Sequence, residues 1–467
     1  MKKVAAFCLM VMLTLSVFAG NALAFTEYTG ATQYTGNVGP YAVMLLDANS
    51  GTILYKKNID EQIEPASTTK IMTCLLAVES GKLDEEVQVS SKAAGQGGSL
   101  LHVAAGEKLK LKDLNAGMMM ASGNDAAVAI AEFLGGSVDG FADMMNNKAA
   151  ELGMTNSHFT VPHGMHAEGH HSTARDMAAL TFYAMQNPQF AEIVKRASYS
   201  MPADNKHSST WEVENTNKLL QPDEQYYYQY ATGIKTGSTP AAGDCLISSA
   251  SKDGMNLICL VFKDEYNGSA RWPLSKDLFE WGFANFKTVD LATLMEKAEP
   301  VQATVEGAAA SDSGVLEFNS PEVGTTYVTL DKASIDGILN GTDSIETETV
   351  FDADPLQAPI AKDDIVGTVS YKSASTGTVL YQGNLIASRD VPKVGSDPDA
   401  TGSSAVQTQT PVAPVEVVKP DSSAVWWLLL IPGVLIALLV VRLTTVNRRK
   451  RKRFKHRQPH YSYKIKR

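Results

Sequence analysis

Cysteine is scarce in this sequence, and its spacing argues against a disulfide framework. The 467-residue chain has four cysteines, of which Cys8 lies in an N-terminal apolar segment. Cys74, Cys245 and Cys259 are left, an odd number without paired spacing. Such a set indicates buried free thiols. Internal repeats are also lacking, which argues against a solenoid.

Basic residues are scarce between the two ends of the chain. Of the 41 Lys and Arg residues, two precede residue 25 and twelve follow residue 441, so 27 remain against all 51 acidic residues. This central part carries about −24 charges, which argues against a surface that binds polyanions. We therefore predict no nucleic-acid partner.

Long apolar runs occur once near each end. Lys2 and Lys3 precede the apolar run Val4–Phe18, and Ala22-Leu23-Ala24 follows it. A basic start, an apolar core and a small-x-small end are typical of a secretory signal, so we predict a signal peptide over residues 1–24.

The second run, Ala424–Val441, has 18 residues without a charge and is followed by a basic tail without acids. As a helix it would be about 27 Å long, against a hydrocarbon core of about 30 Å. We predict a single transmembrane helix at 424–442 and a cytoplasmic tail at 443–467, because positive charge favours the inside. Nucleic-acid binding by Arg448–Arg453 is the alternative that this placement argues against.

The sequence between these ends divides into two predicted domains and a linker. Residues 25–288 contain a predicted hairpin (41–46 and 52–55), a buried helix from Ser67 to Glu79, helices at 111–134, 140–152, 173–187 and 271–286, and two strands within 232–263. Residues 289–392 have short alternating runs typical of a small β-rich domain, and residues 393–423 have a linker composition.

Ser67 and Lys70 are the candidate nucleophile and base. Three positions apart at the start of a helix, they share one face. A serine hydroxyl needs a neighbouring base, and a lysine withdrawn from water can lose its proton near neutral pH. Ser-x-x-Lys alone is a weak signal: Ser249 and Lys252 also match it, and a helix cap with a solvated lysine would look the same.

Two further motifs strengthen this assignment. Ser122-Gly123-Asn124 and Lys235-Thr236-Gly237 follow in the chain order of β-lactamases and penicillin-binding proteins. Ser122 can relay a proton, and Asn124 can hydrogen-bond a substrate amide. Lys235 and Thr236 can hold a terminal carboxylate, and Gly237 allows close approach. The backbone N–H groups of Ser67 and Ser238 can form an oxyanion hole.

Six segments together resemble the low-molecular-mass penicillin-binding D-alanyl-D-alanine carboxypeptidases, most strongly over residues 38–288. They are Pro65–Thr73, Met120–Ala127, Pro162–Gly164, His171–Met177, Asn215–Asn217 and Gly233–Thr239. The resemblance implies an α/β (α+β) domain of the β-lactamase/transpeptidase type, with a five-stranded antiparallel sheet flanked by helices and a helical lobe. A small all-β second domain and a C-terminal membrane helix complete the expected architecture.

The resemblance also implies the activity. We expect a serine-type carboxypeptidase of the bacterial cell membrane, single-pass and with its catalytic part outside. It would remove the terminal D-alanine from peptidoglycan stem peptides ending in D-Ala-D-Ala, with β-lactams as covalent inhibitors. By position, Arg271 resembles the family arginine that supports carboxylate binding, and Ser238 and Thr239 complete the substrate-binding strand.

One departure limits the β-lactamase alternative. Gly123 replaces the acid found in the middle of Ser-x-Asn in class A β-lactamases, and residues 125–234 contain no Glu-x-x-Leu-Asn segment. We therefore expect stable acylation by penicillin and slow turnover. Endopeptidase or transpeptidase activity and a non-catalytic peptidoglycan-binding scaffold are the open alternatives, because the motifs do not fix what attacks the acyl-enzyme.

Histidines cluster at residues 158–171, where five of the nine in the chain occur. Their spacing matches no His-Glu-x-x-His or similar ligand pattern, so structural roles in a loop are favoured. We predict no metal and no cofactor for the reaction.

Overall fold

A six-stranded sheet organises the first part of the molecule. The structure, a computed structural model, describes residues 25–318 and 327–395. The strands lie in the order β1-β3-β2-β10-β9-β8. Their bounds are Thr26–Glu27 (β1), Ala42–Asp47 (β2), Thr52–Lys57 (β3), Ala231–Thr239 (β8), Gly243–Lys252 (β9) and Met255–Asp264 (β10).

The central strands β2 and β10 of the sheet are apolar on both faces. All six residues of β2 are buried, and β2 pairs antiparallel with β10. Strands apolar on both faces need helices on both sides, since each face must be removed from water. Met44 and Leu260 belong to one buried cluster, and Val43 and Leu257 belong to another on the opposite face.

Helices cover these two faces. Lys70–Glu79 (α1) is buried at every residue except Glu79 and lies in the larger cluster. Arg271–Asn285 (α8) covers the other face with Trp272 and Phe279. The remaining helices of this part are Ser91–Ala94 (α2), Leu111–Ala121 (α3), Asn124–Gly135 (α4), Val138–Glu151 (α5), Ala174–Met185 (α6) and Pro188–Val194 (α7), with 3-10 turns at Ala66–Thr69 and Lys218–Leu220.

Two small antiparallel pairs complete the first part. Glu86–Gln88 (β4) pairs with Lys108–Lys110 (β5), and Ser198–Met201 (β6) pairs with Trp211–Glu214 (β7). The β6–β7 hairpin leads directly into Asn215-Thr216-Asn217.

The structure corrects three predictions for this part. The five antiparallel strands are present, but β1 adds a sixth that runs parallel to β3. Residues 232–263 contain three strands and not two, because the turn at residues 240–242 separates β8 from β9. The helix predicted at 111–134 is two helices, since Ser122 adopts a left-handed conformation with φ 59° that ends α3.

The predicted hairpin and the buried cysteines are confirmed. β2 and β3 flank residues 48–51, where Asp47 Oδ1 accepts hydrogen bonds from the backbone N–H groups of Asn49 and Ser50. Cys74, Cys245 and Cys259 are free and buried. Burial raises the pKa of each thiol to about 12, so these cysteines stay protonated.

The second part of the molecule starts at residue 286 and has a buried cluster of its own, which includes Leu291, Ile335 and Val391. Its strands are Phe286–Asp290 (β11), Gln302–Glu306 (β12), Val315–Glu317 (β13), Tyr327–Asp331 (β14), Ile345–Phe351 (β15), Leu356–Gln357 (β16), Ile365–Ser373 (β17) and Val379–Ile386 (β18). The boundary predicted at 288/289 falls inside β11, which pairs with β14.

The prediction that this second part is all-β is wrong. It contains the helices Leu291–Met295 (α9) and Lys332–Asn340 (α10). Asp331 caps α10 by accepting a hydrogen bond from the backbone N–H of Ser334, and Gly341 ends it with φ 78°. Ile335 and Ile338 bury one face of this helix.

The predicted membrane helix at 424–442, the signal at 1–24, most of the linker and the basic tail lie outside the described residues. Among the residues that the structure does describe, no helix has the length and apolar character needed to cross a bilayer.

Candidate active site

Ser67 and Lys70 lie where the 3-10 turn passes into α1. Lys70 is fully buried, and its Nζ is 3.0 Å from Ser67 Oγ. The same Nζ donates to Asn124 Oδ1 at 2.8 Å and to the backbone oxygen of His163 at 2.9 Å. Ser67 itself is partly exposed. The Ser67 side chain is therefore accessible to solvent, whereas the Lys70 amine is buried and bound by Asn124 and His163.

Burial sets the protonation of Lys70. Loss of hydration is the largest cause that lowers the pKa of its amine well below the usual value, and the charge of Lys235 lowers it further. Asp125 acts in the opposite direction. A neutral amine at this place can accept the Ser67 proton, which is the chemistry that activates a serine.

The Ser122-Gly123-Asn124 segment joins α3 to α4. Ser122 is buried, and Asn124 opens α4. Asn124 Oδ1 accepts from Lys70, and its Nδ2 donates to the backbone oxygen of Gly97 at 2.7 Å. Asn124 thus orients the lysine in this structure, and its contact with a substrate amide stays a prediction.

Lys235 lies on β8 and supplies the second amine. Its side chain is buried, and within the described residues its Nζ has no hydrogen-bond partner. Burial lowers its pKa to about 7. A buried cation without a partner is costly, so the position favours an anion or hydroxyl that would pair with it.

Gly237 brings β8 against Ser67. A Cβ at Gly237 would lie 3.1 Å from the backbone nitrogen of Ser67, so only glycine fits this approach without displacement. Thr236 Oγ1 is 2.6 Å from Thr216 Oγ1, and the Thr216 N–H donates to the backbone oxygen of Met120 at 3.2 Å. Thr216 therefore connects β8 to the end of α3, close to Ser122.

Ser238 and Arg271 meet at Asp244. Ser238 Oγ donates to Asp244 Oδ1 at 2.5 Å, and Arg271 forms an ion pair with Asp244 Oδ2. Burial lowers the pKa of Arg271 to about 10, which is still high enough to keep it charged. Arg271 thus lies behind β8 and connects to it through Asp244. Thr239 Oγ1 accepts from the Ala242 N–H at 3.0 Å and ends the strand.

The side chains of the second Ser-x-x-Lys match, Ser249 and Lys252, bind different partners. Ser249 Oγ is 2.8 Å from Thr232 Oγ1 within the sheet. Lys252 Nζ lies 3.5 Å from Glu280 and over the ring of Tyr230. Ser249 and Lys252 therefore lack the contact between a serine hydroxyl and a fully buried amine that joins Ser67 to Lys70.

Two histidines of the 158–171 cluster shape the loop under the site. The Met165 N–H donates to His163 Nδ1, and the Thr160 N–H donates to His170 Nδ1, both at 3.1 Å. Burial lowers the pKa of His163 to about 3 and that of His170 to about 4. His170 is therefore neutral, and its Nε2–H can donate to Thr69 Oγ1 at 3.0 Å.

Sequence reasoning missed several supporting groups. The carbonyls of Gly97 and His163 carry no sequence signal, because every residue has one. Asp125 accepts from the N–H groups of Leu101 and Val103 and so fixes the loop that holds Asn124. Its place beside Ser-x-Asn was the available signal for this role.

Comparison with known proteins gives a consistent result. Residues 29–266 match the family model described as D-alanyl-D-alanine carboxypeptidase, and residues 339–393 match the one described as penicillin-binding protein 5, C-terminal domain. A D-alanyl-D-alanine carboxypeptidase of Bacillus subtilis is 33% identical over 76% of this chain and 86% of its own length.

Solved structures are similar over the same region. Penicillin-binding protein 5 from Haemophilus influenzae is 29% identical, with a TM-score of 0.63 over 77% of this chain and all of that one. A mutant of the Streptomyces K15 DD-transpeptidase is 30% identical, with a TM-score of 0.50 over 54% of this chain and all of that one. From this family match and these relatives, the chain belongs to the D-alanyl-D-alanine carboxypeptidase family of penicillin-binding serine peptidases.

Proposed function

We propose that this chain removes the terminal D-alanine from peptidoglycan stem peptides ending in D-Ala-D-Ala, through an acyl-enzyme on Ser67. The observation that carries the proposal is the 3.0 Å contact between Ser67 Oγ and the amine of a fully buried lysine. A binding scaffold has no need of a serine activated in this way. β-lactams, which mimic the substrate amide, would acylate the same oxygen.

The proposed acylation step assigns a role to each motif residue, and the contact between Ser67 and Lys70 supports it. Neutral Lys70 takes the Ser67 proton as Oγ attacks the carbonyl carbon of the penultimate D-alanine. The N–H groups of Ser67 and Ser238 stabilise the oxyanion, each such donor being worth about 3 kcal/mol. The C–N bond then breaks, and the proton passes from Lys70 through the Ser122 hydroxyl to the leaving amine. Lys235 and Thr236 hold the carboxylate of the departing D-alanine.

Deacylation returns the enzyme to its starting state. Water attacks the ester, Lys70 accepts a proton from the water, and the C–O bond to Ser67 breaks as the serine recovers its hydrogen. An amine in place of water would give transpeptidation, and the similarity to a DD-transpeptidase makes this the second candidate.

The test measures D-alanine release from a D-Ala-D-Ala-ended peptide by the full-length protein in detergent. We expect Ser67→Ala to lower kcat/KM on the order of 10⁶-fold, as loss of the serine does in other serine peptidases, while Ser249→Ala changes it little. Added glycine distinguishes hydrolysis from transpeptidation, because only transpeptidation yields a peptide product that carries the glycine. Undiminished release by Ser67→Ala, or no release by the wild-type protein, would refute the proposal.

The cellular placement is a second part of the proposal. The apolar 424–441 run and the basic tail behind it support a single membrane anchor with residues 25–423 outside the cell. Ending the chain at residue 423 should release penicillin-labelled protein from the membrane fraction. Retention of the shortened protein would contradict the anchor.

A further inference from the structure

The β6–β7 hairpin is fastened at its tip to the turn before β5. Asn205 Oδ1 accepts from the Lys108 N–H, and Asn205 Nδ2 donates to the backbone oxygen of Gly106, both at 2.8 Å. These bonds bring Glu107, Asp204 and His207 together. The three side chains belong to none of the motifs used above.

The ligand atoms of these three side chains converge. His207 Nδ1 lies 3.1 Å from Asp204 Oδ2 and 3.5 Å from Glu107 Oε1, and all three atoms lie within 4.8 Å of one another. A tetrahedral ion with bonds of about 2.0–2.1 Å to N and O ligands needs donor atoms about 3.3 Å apart. The two distances from His207 Nδ1, 3.1 and 3.5 Å, lie on either side of that value.

In Glu107 and in Asp204, one carboxylate oxygen accepts hydrogen bonds from backbone N–H groups, and the other lies near His207 Nδ1. Glu107 Oε2 accepts from the Ala104 N–H at 2.6 Å. Asp204 Oδ1 accepts from the N–H groups of Lys206 and His207 at 2.5 and 2.9 Å. Outer hydrogen bonds of this kind orient metal ligands in known sites.

The remaining oxygen of Glu107 has unsatisfied bonding capacity. The Glu107 side chain is fully buried, and within the described part of the chain its Oε1 has no hydrogen-bond partner. The Asp204 side chain is only 2% exposed. Two buried carboxylates side by side repel one another, so a cation between them would be stabilising.

We propose that Glu107 Oε1, Asp204 Oδ2 and His207 Nδ1 bind one divalent transition ion, for which Zn²⁺ is the probe. An imidazole ligand favours such an ion over Mg²⁺ or Ca²⁺, which prefer oxygen. The fourth position faces solvent beside His207, whose side chain is 39% exposed. The Trp211 ring, 4.1 Å from the imidazole between centroids, holds that ring in place.

The ion would have a structural role. β7 leads into Thr216, which contacts Thr236 on the carboxylate-binding strand. Binding at the hairpin tip would fasten β6 and β7 to the helical lobe and so stabilise the segment before Thr216. This departs from the sequence prediction of no metal, which considered the histidines at 158–171.

The experiment is a calorimetric titration of Zn²⁺ into full-length protein in detergent after removal of metal with a chelator. Because other histidines can also bind Zn²⁺, the quantity compared is the number of Zn²⁺ ions bound per chain in the wild-type protein and in each variant. We expect Glu107→Gln and His207→Gln each to lose one equivalent, with affinity lowered about 100-fold or more, since outer partners alone are worth about 10–100-fold. Excess Mg²⁺ should not compete.

The matched control is His166→Gln, which removes a histidine paired with one carboxylate, Glu64. It should keep the full stoichiometry. His207 is on the exposed side of the cluster, so its variant remains informative if Glu107→Gln does not fold, and penicillin labelling reports folding. A Zn²⁺-dependent rise in Tm should also be lost in His207→Gln. Equal binding by wild-type and His207→Gln proteins, or no binding by the wild type, would overturn the proposal.

Discussion

At the scale of single residues, Lys70 and Lys235 have different environments and different proposed roles. Lys70 has three hydrogen-bond partners, whereas Lys235 Nζ has none among the described residues. Burial lowers the pKa of both amines. Our account needs Lys70 neutral as the base and Lys235 charged to hold a carboxylate. Activity should therefore rise with pH as Lys70 loses its proton and fall as Lys235 loses its own.

The Lys235→Arg variant tests this division. The pKa of Lys235 is about 7 before substrate binds, and a bound carboxylate would raise it. Arginine keeps its charge to much higher pH, so the falling limb of the kcat/KM profile should move up by about two pH units or more. Lys252→Arg serves as the control and should leave the profile unchanged. An unshifted falling limb in Lys235→Arg would contradict the assigned role.

The residue-scale site was predictable where side chains carry the chemistry. Ser67, Lys70, Asn124 and Lys235 stand in recognisable motifs, and the structure brings their side chains together. The function of Asn124 was only partly visible, because its binding to Lys70 depends on how α4 packs against α1. The support from the His163 carbonyl was not visible at all, since it arises from tertiary packing.

At the scale of elements, the Pro162-His163-Gly164 loop supports the start of α1. A Cβ at Gly164 would lie 1.8 Å from the backbone oxygen of Ala66, and Gly164 has φ 79°. Gly164→Ala should therefore displace either the loop or the turn that carries Ser67. We expect the rate of penicillin acylation to fall about 100-fold, because a displacement of about 1 Å has that effect on catalysis.

Gly254→Ala is the matched control for that variant. Gly254 has φ 82°, but a Cβ there would have no neighbour within 4 Å. Gly254→Ala should lower the free energy of unfolding by about 1 kcal/mol through backbone strain alone, and it should not lower the acylation rate. Equal acylation rates in the two variants would show that the Gly164 contact does not position Ser67.

Element boundaries were predictable where local signals were strong. The β2–β3 hairpin follows from its apolar runs and turn residues. Helix α10 was missed although Asp331, the apolar pair Ile335 and Ile338, and Gly341 form a start, a face and a stop. The surrounding strand patterns concealed it. The break at Ser122 was not predicted, because a serine seldom adopts the left-handed conformation that ends α3 there.

At the scale of the whole molecule, Asp47 connects the six-stranded sheet to β11, the first strand of the second part. It is fully buried and accepts from Ser50 Oγ at 2.9 Å and from Thr288 Oγ1 at 2.8 Å. Asp47→Ala should lower the free energy of unfolding by about 1–3 kcal/mol, because it leaves partly buried donors without their acceptor. Urea unfolding followed by tryptophan fluorescence measures this.

Asp47→Asn keeps the shape and one acceptor oxygen, so its effect should be smaller. A loss under about 0.5 kcal/mol in Asp47→Ala, the range of ordinary surface substitutions, would show that the contact contributes little. The sequence could not reveal this connection, because Asp47 looks like an ordinary turn residue and Thr288 lies at the predicted domain boundary.

The central claim is that Ser67 is the oxygen that becomes acylated. It is tested most directly by treating the full-length protein with benzylpenicillin and locating the adduct by peptide mass spectrometry. Our account predicts one adduct, on the peptide containing Ser67, that disappears in Ser67→Ala and persists in Ser249→Ala. An adduct on another residue, or one that survives in Ser67→Ala, would contradict it.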